Sequence, residues 1–226
     1  MSLQDHVTRA TAVAAGLHFE DVAAYGVRSR DLGAAKRLLD LCLAISLLFL
    51  LAPFLAAIAF WVWLDSPGPV LFRQRRLGLN GAPFGILKFR TMNVLEDGDR
   101  VTQASERDTR VTQAGRFLRK TSLDELPQLI NVIKGEMSLV GPRPHAIAHD
   151  RFYATVIRDY RERQNVKPGI TGWAQVNGFR GETPAVEMMR RRVECDVWYV
   201  RHCSLALDLK ILLRTAHVVP QRRNAY

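Results

Sequence analysis

The chain has 226 residues, 48% of them apolar, and a net charge of +10. That length fits one ordinary domain, and that apolar content supports a packed core and excludes a disordered chain. Three cysteines (Cys42, Cys195, Cys203) and six histidines lack metal-ligand or disulfide-framework spacing, so they read as reduced packing residues rather than a zinc site or a stapled scaffold.

Residues 1–40 hold five basic and five acidic side chains, and residues 41–64 hold none, so the whole positive excess follows residue 64. The uncharged run "LCLAISLLFLLAPFLAAIAFWVWL" is long enough, at about 36 Å as a straight helix, to cross a bilayer core of about 30 Å. It is too long, and starts too late, for a signal peptide. Lys36 and Arg37 precede it, and Arg73, Arg75 and Arg76 follow it. Basic residues at both ends give conflicting orientations by the positive-inside rule. Pro53 removes a ladder donor and crowds the carbonyl of Phe49. A re-entrant helix broken there and a kinked spanning helix both satisfy the residues. Trp61 and Trp63 suit an interfacial belt in either case.

Ser66-Pro67-Gly68-Pro69 ends this segment. "VLFRQRRL" and "FGILKFRTM" then flank Asn80-Gly81, which predicts a β-hairpin. Lys88 and Arg90, two apart, share one strand face with Ile86, and read as a cationic pair for phosphate or as a solvated face. A polar loop spans residues 92–108, and an arginine-rich, helix-compatible stretch follows.

"KTSLDELPQLINVIKGEMSLVGPRP" sets Asp124 beside Glu125 in this basic chain. Ser122 and Glu125 fit a capping box. Leu126, Leu129, Ile130 and Ile133 lie on one helix face, and Gly135 can end that helix. Pro127 favours a start near Asp124, where a proline costs no ladder bond. Simple capping and a phosphate-binding helix mouth both remain open, the second with Arg116, Arg119 and Lys120 nearby. Carboxylates beside phosphate call for a hard divalent ion, which oxygen ligands identify as Mg²⁺. A carboxylate can also attack phosphorus. Further on, Pro142 and Pro144 stiffen the backbone on both sides of Arg143, as in an anion clamp.

"VKPGITGWAQVNGFRGET" predicts a short strand between glycine loops that a ligand could approach; it is neither a P-loop nor a dinucleotide fingerprint. "SLALDLKILLRTAHVV" predicts a helix in the core or on a membrane surface, with the surface favoured.

The blocks "KFRTM", "RFLRKTSLDELPQLINVIKGEMSLVGPRP", "YRERQNVKPGITGWAQVNGFRGET" and "RNAY" resemble the bacterial sugar transferases, the monotopic phosphoglycosyl transferases, from about Lys36 to Tyr226. The chain is similar to their catalytic half. The resemblance implies transfer of a sugar 1-phosphate from a UDP-sugar to undecaprenyl phosphate, with release of UMP, as the first membrane step of exopolysaccharide or other surface glycan synthesis. It implies Asp124 as nucleophile through a covalent phosphosugar, Glu125 as its partner in metal or proton handling, and Mg²⁺ on this pair. Lys88, Arg90 and Arg143 match family positions near the phosphates. Arg110, Gln175 and Arg180 join them as substrate-binding candidates, with the loop from Gln175 to Thr183 part of the sugar pocket. The family breaks its re-entrant helix near the middle, often at a Ser-Pro pair, where this chain has Ala52-Pro53.

The implied fold is α+β and mostly helical: an N-terminal segment at 1–35 of unknown role, a re-entrant membrane helix at 36–66, and a catalytic domain at 67–226 on the cytoplasmic face of a bacterial inner membrane. A small hairpin and interfacial amphipathic helices complete it. The implied partners are the UDP-sugar, undecaprenyl phosphate and the bilayer, with no nucleic acid and with a homo-oligomer left open. Within the family the glycine-loop and C-terminal blocks look most like glucose-1-phosphate transferases, with galactose or N-acetylhexosamine donors as rivals. Outside it, a basic membrane-anchored scaffold explains the charge but not the acid pair. A nucleic-acid binder lacks any groove-reading motif.

Overall fold

The computed structural model describes residues 33–93, 108–181, 183 and 185–218. Most of the polar loop at 92–108, the final "RNAY" and nearly all of the 1–35 segment lie outside them. The order of elements is α1 (Gly33–Asp65), β1 (Leu71–Leu77), β2 (Pro83–Phe89), α2 (Gln113–Thr121), a 3₁₀ turn (Leu123–Glu125), α3 (Gln128–Lys134), β3 (Ser138–Val140), α4 (Ile147–Val156), a 3₁₀ segment (Tyr160–Asn165), β4 (Gly169–Thr171), α5 (Trp173–Val176), α6 (Val186–His202) and α7 (Leu205–Val218). The body is α+β and mostly helical, as expected.

α1 is long and apolar enough to cross a membrane, by length and composition. It continues as helix through Pro53, so the segment is not divided into two helices there. Its middle is bare, with Phe49 86% and Leu50 73% exposed. Both of its ends are fastened to the body. Near the start, Lys36 pairs with buried Asp208 of α7, Asp40 accepts from the Leu139 amide of β3, and Arg37 donates to the Val132 and Ile133 carbonyls at the end of α3. Val132 O also accepts from the Gly135 cap amide at 3.0 Å, and the guanidinium adds a second donor to this helix end, where carbonyls run short of intrahelical partners. Near its close, Ile58 and Val62 pack with Phe89 and Leu118, and Asp65 accepts from the Ala114 amide in the first turn of α2.

β1 and β2 form the predicted antiparallel hairpin, in register from Leu71 opposite Phe89 to Leu77 opposite Pro83. Its turn places Asn80 and Gly81 at φ of 54° and 73°, the left-handed region that these residue types tolerate. β3 and β4 form a second, parallel pair, Ser138 opposite Gly169 and Val140 opposite Thr171. The main core gathers Ile86, Leu129, Val132, Met137, Tyr199 and Ile211, joined by Ala44 of α1. Of the cysteines, Cys203 packs in this core, whereas Cys42 is exposed on α1. α7 buries Asp208 and Ile211 and exposes Leu209 and Leu213, so it has both a core face and an apolar outer face.

The capping box does not form. Ser122 takes a left-handed conformation at the end of α2 (φ 59°), its amide donating to Arg119, and its side chain caps nothing. The chain must turn sharply between α2 and α3, and Ser122 makes that turn. Asp124 and Glu125 lie on the separate 3₁₀ turn, and Pro127 precedes α3, whose first turn needs no proline amide. The predicted stop at Gly135 holds, at φ 85°.

Candidate active site

Three pieces bring the site together. The 3₁₀ turn presents the acid pair, β2 presents Lys88, and the Gly141–His145 turn presents Arg143. Asn131 of α3, the helix that follows the acid pair, ties that helix to β2: its amide nitrogen donates to Gly85 O at 2.8 Å, and its amide oxygen accepts from Leu87 N at 3.0 Å. Fully buried, Asn131 acts as a local splint between α3 and β2. The sequence reading passed over it as one polar residue within an apolar helix.

Glu125 is held on both oxygens. Lys88 Nζ donates at 2.8 Å, and Arg143 grips the carboxylate with both terminal nitrogens, one at 2.8 Å. Burial pushes the Glu125 carboxyl upward, but the Arg143 and Lys88 charges reverse this and hold it well below the usual range. Burial likewise lowers the Lys88 ammonium, against the pull of Glu125.

Asp124 differs. It is only 7% exposed, and among the described residues no hydrogen-bond donor reaches its carboxylate. Burial lifts its pKa to about 6; Lys88 opposes the rise and the Glu125 charge adds to it. Two adjacent acids are thus driven apart, one firmly ionised and clamped, the other poised near neutrality. Such divergence marks sites of acid–base or nucleophilic chemistry.

Arg180, from the glycine-rich loop, lies within the electrostatic field of the pair. Burial lowers its pKa, and the Glu125 charge opposes this. Arg119 of α2 contributes a further positive charge to the field at Asp124.

The remaining candidates are placed elsewhere. Arg90 does not join Lys88 at the acids. It lies one residue beyond β2, and its guanidinium turns under the hairpin to donate to Pro69 O at 2.6 Å and to the Ser66 carbonyl, with Val62 O at 3.4 Å. It closes the carbonyl end of α1. Shared strand parity placed the pair on one face, but tertiary acceptors redirected the longer fork. Arg110 makes a local ion pair with Asp108 at 2.7 Å, which lowers that carboxyl to about 2. Gln175 donates to Ile170 O at 3.0 Å, bracing the β4–α5 turn, and its amide oxygen is buried without a partner. Gly169 and Gly172 serve chain packing: a Cβ on either would collide with the backbone of Gly141. The expected helix mouth is not the site either, because α3 is seven residues long and starts after the acids.

No cluster of three or more His, Cys, Asp or Glu occurs among the described residues. Mg²⁺ fits what is present, since it binds through one or two carboxylates and leaves its other places to water and substrate phosphates. Asp124, with no competing donor among the described residues, is the ligand this arrangement offers, whereas both Glu125 oxygens are engaged.

Fold and site together define an anion-directed α+β protein carrying one helix of membrane-spanning length and composition. The chain belongs to the bacterial sugar transferase family, whose sequence model matches residues 32–222. It is 55% identical over 180 residues to a UDP-glucose:undecaprenyl-phosphate glucose-1-phosphate transferase of Escherichia coli K12, covering 80% of this chain and 39% of that protein. It is 54% identical to a protein of the same description from Caulobacter vibrioides, covering 84% of this chain and 72% of that one. An exopolysaccharide production protein of Rhizobium leguminosarum is 44% identical, over 80% of this chain and 92% of its own length. The chain therefore spans about two fifths of the E. coli relative and most of the other two.

Proposed function

We propose that this protein transfers hexose 1-phosphate, with glucose as the hexose, from a UDP-sugar to undecaprenyl phosphate and releases UMP. The observation that carries the reading is the buried Asp124, which no donor reaches among the described residues, beside a fully clamped Glu125. In the first step an Asp124 oxygen attacks the β-phosphorus; the bond from that phosphorus to the bridging oxygen breaks, and UMP leaves. The phosphosugar is then held on Asp124 as an acyl phosphate. A phosphate oxygen of undecaprenyl phosphate attacks the same phosphorus, which frees the carboxylate and yields the lipid diphosphate sugar.

Lys88, Arg119, Arg143 and Arg180 outnumber the two carboxylates, and this positive excess suits a diphosphate. Glu125 orients two of these cations. Mg²⁺, when bound at Asp124, would neutralise charge on the diphosphate and on leaving UMP. Glucose is supported by the descriptions of the E. coli and Caulobacter relatives, and exopolysaccharide synthesis by that of the Rhizobium one.

Placement at the cytoplasmic face of the inner membrane, with α1 re-entrant, is supported by the two anchorages of α1. A helix fastened at both ends to one polar body cannot put those ends on opposite sides of a bilayer. Pro53, exposed at the bare middle, lacks a ladder donor and is where the continuous helix would bend. The apolar outer face of α7 then suits the lipid interface.

The test is UMP release from UDP-glucose, UDP-galactose and their N-acetyl forms, first without acceptor and then with undecaprenyl phosphate. A stoichiometric burst from UDP-glucose and Mg²⁺ alone, absent in Asp124→Asn and after chelation, is the expected result. Turnover by Asp124→Asn refutes the mechanism. Preference for an N-acetyl donor refutes the sugar but not the reaction class.

A further inference from the structure

The turn that carries Arg143 is unusual in how it is held. Pro142 and Pro144 have no amide hydrogen, so they cannot anchor the turn by donating. Its three central carbonyls anchor it instead. Pro142 O accepts from the Gly169 amide at 3.0 Å, Arg143 O from Arg163 Nη2 at 2.6 Å, and Pro144 O from Arg76 Nη1 at 3.3 Å.

Arg163 is itself fixed from several sides. Its Nε donates to Asp196 of α6 at 2.8 Å, and its guanidinium carbon lies 4.9 Å from the centre of the Tyr160 ring. Nη1 lies 3.2 Å from His145 Nδ1 and 3.8 Å from Asp150, which accepts from the Tyr160 hydroxyl at 2.6 Å. The Arg163 and Asp196 side chains are 4% and 2% exposed. A planar fork can serve Asp196 and the Arg143 carbonyl at once, because its nitrogens are spread in fixed directions. A lysine carries its three donors on one nitrogen and cannot occupy both of these positions.

We propose that Arg163, anchored by Asp196, is a positioning residue for the transfer: it fixes the Arg143 backbone and so aims the guanidinium that grips Glu125. The inference rests on the transferase reading. It goes beyond that reading by assigning a role to a buried network that touches none of the reacting groups. Small misplacements of a positioning group carry large rate costs, on the order of 100-fold for about 1 Å.

The experiment is a double-mutant cycle in the full chain, reading kcat/KM for UMP release from UDP-glucose with Mg²⁺ alongside the thermal midpoint. Arg163→Lys is expected to lower kcat/KM by about tenfold or more. In the Arg143→Lys background the same change is expected to cost less than about twofold, because the fork it positions is already gone. Equal fold-losses in both backgrounds would mean that Arg163 acts independently of Arg143 and would overturn the proposal, as would full activity of Arg163→Lys. If Arg163→Lys fails to fold, Asp196→Asn takes its place. It keeps the Arg163–Arg143 bond and loosens only its anchor, and the same contrast between backgrounds is required. If the wild type releases no UMP, the transfer reading fails on its own, and the affinity of Mg²⁺–UDP becomes the readout of the same cycle. Weaker binding confined to the wild-type background supports positioning; equal weakening in both, or no UDP binding at all, overturns it.

Discussion

Asp124→Asn should make the protein more stable while removing its activity. The rise of the Asp124 pKa from the ordinary 3.8 to about 6 means that the folded state resists ionisation of this group. The sign follows from linkage: the contribution is fully present below about 3.8 and is lost as pH rises through about 6. At pH 8 the ionised carboxylate therefore costs the fold about 3 kcal/mol, and at pH 5 about half of that. Asparagine has the same shape and no charge, so the variant should gain up to these amounts, or several degrees in thermal midpoint at pH 8. The assay is thermal unfolding of both proteins in the same detergent from pH 5 to 8, with the difference plotted against pH. A gain that shrinks toward low pH supports the desolvation argument. A variant that is less stable than wild type, by the same margin at every pH, refutes it.

The same group sets the pH dependence of the chemistry. The attacking form is the carboxylate, so kcat/KM for UMP release should rise with pH through about 6 in the wild type, and a limb near 4 would place the nucleophile elsewhere. Arg90 and Arg143 should separate. Arg90→Met removes the donors that close α1 and should cost about 2–4 kcal/mol of stability with KM unchanged, whereas Arg143→Met should lose about 100-fold in UMP release. A raised KM with an unchanged thermal midpoint in Arg90→Met would return Arg90 to the substrate. In a cysteine-free background, single cysteines at Ser29 and Ser105 should both resist an impermeant thiol reagent in intact cells; labelling of one alone would mean that α1 spans the bilayer.

Local signals carried much of this fold. The Asn80-Gly81 turn, the stop at Gly135 and the strand at Gly169–Thr171 are each fixed by a few neighbouring residues, and each was legible. The acid pair was legible as chemistry, but its division of labour was not. Only the approach of Lys88 and Arg143 from distant parts of the chain shows that Glu125 is clamped and Asp124 is left open. Arg90 misled because strand parity predicts a face but not the tertiary acceptors waiting under it. Ser122 fitted a capping box by spacing, and yielded to the tighter demand of the turn between α2 and α3. Asn131, Arg163 and Asp196 gave no sequence signal, because the partners that fix them lie 20 to 46 positions away.

The two anchorages of α1 bear on how this protein can be handled. Ala44 belongs to the main core, while Ile58 and Val62 belong to the cluster around Phe89 and Leu118. Asp40, Arg37 and Asp65 also complete backbone groups of β3, α3 and α2. Cutting the chain at residue 67 to obtain a water-soluble catalytic fragment would therefore not trim away an appendage. It would open two separate cores and strip hydrogen-bond partners from three elements in one stroke. Solubility has to come from detergent, nanodisc or redesign of the bare Phe49–Leu50 stretch, with both feet of the helix left in place.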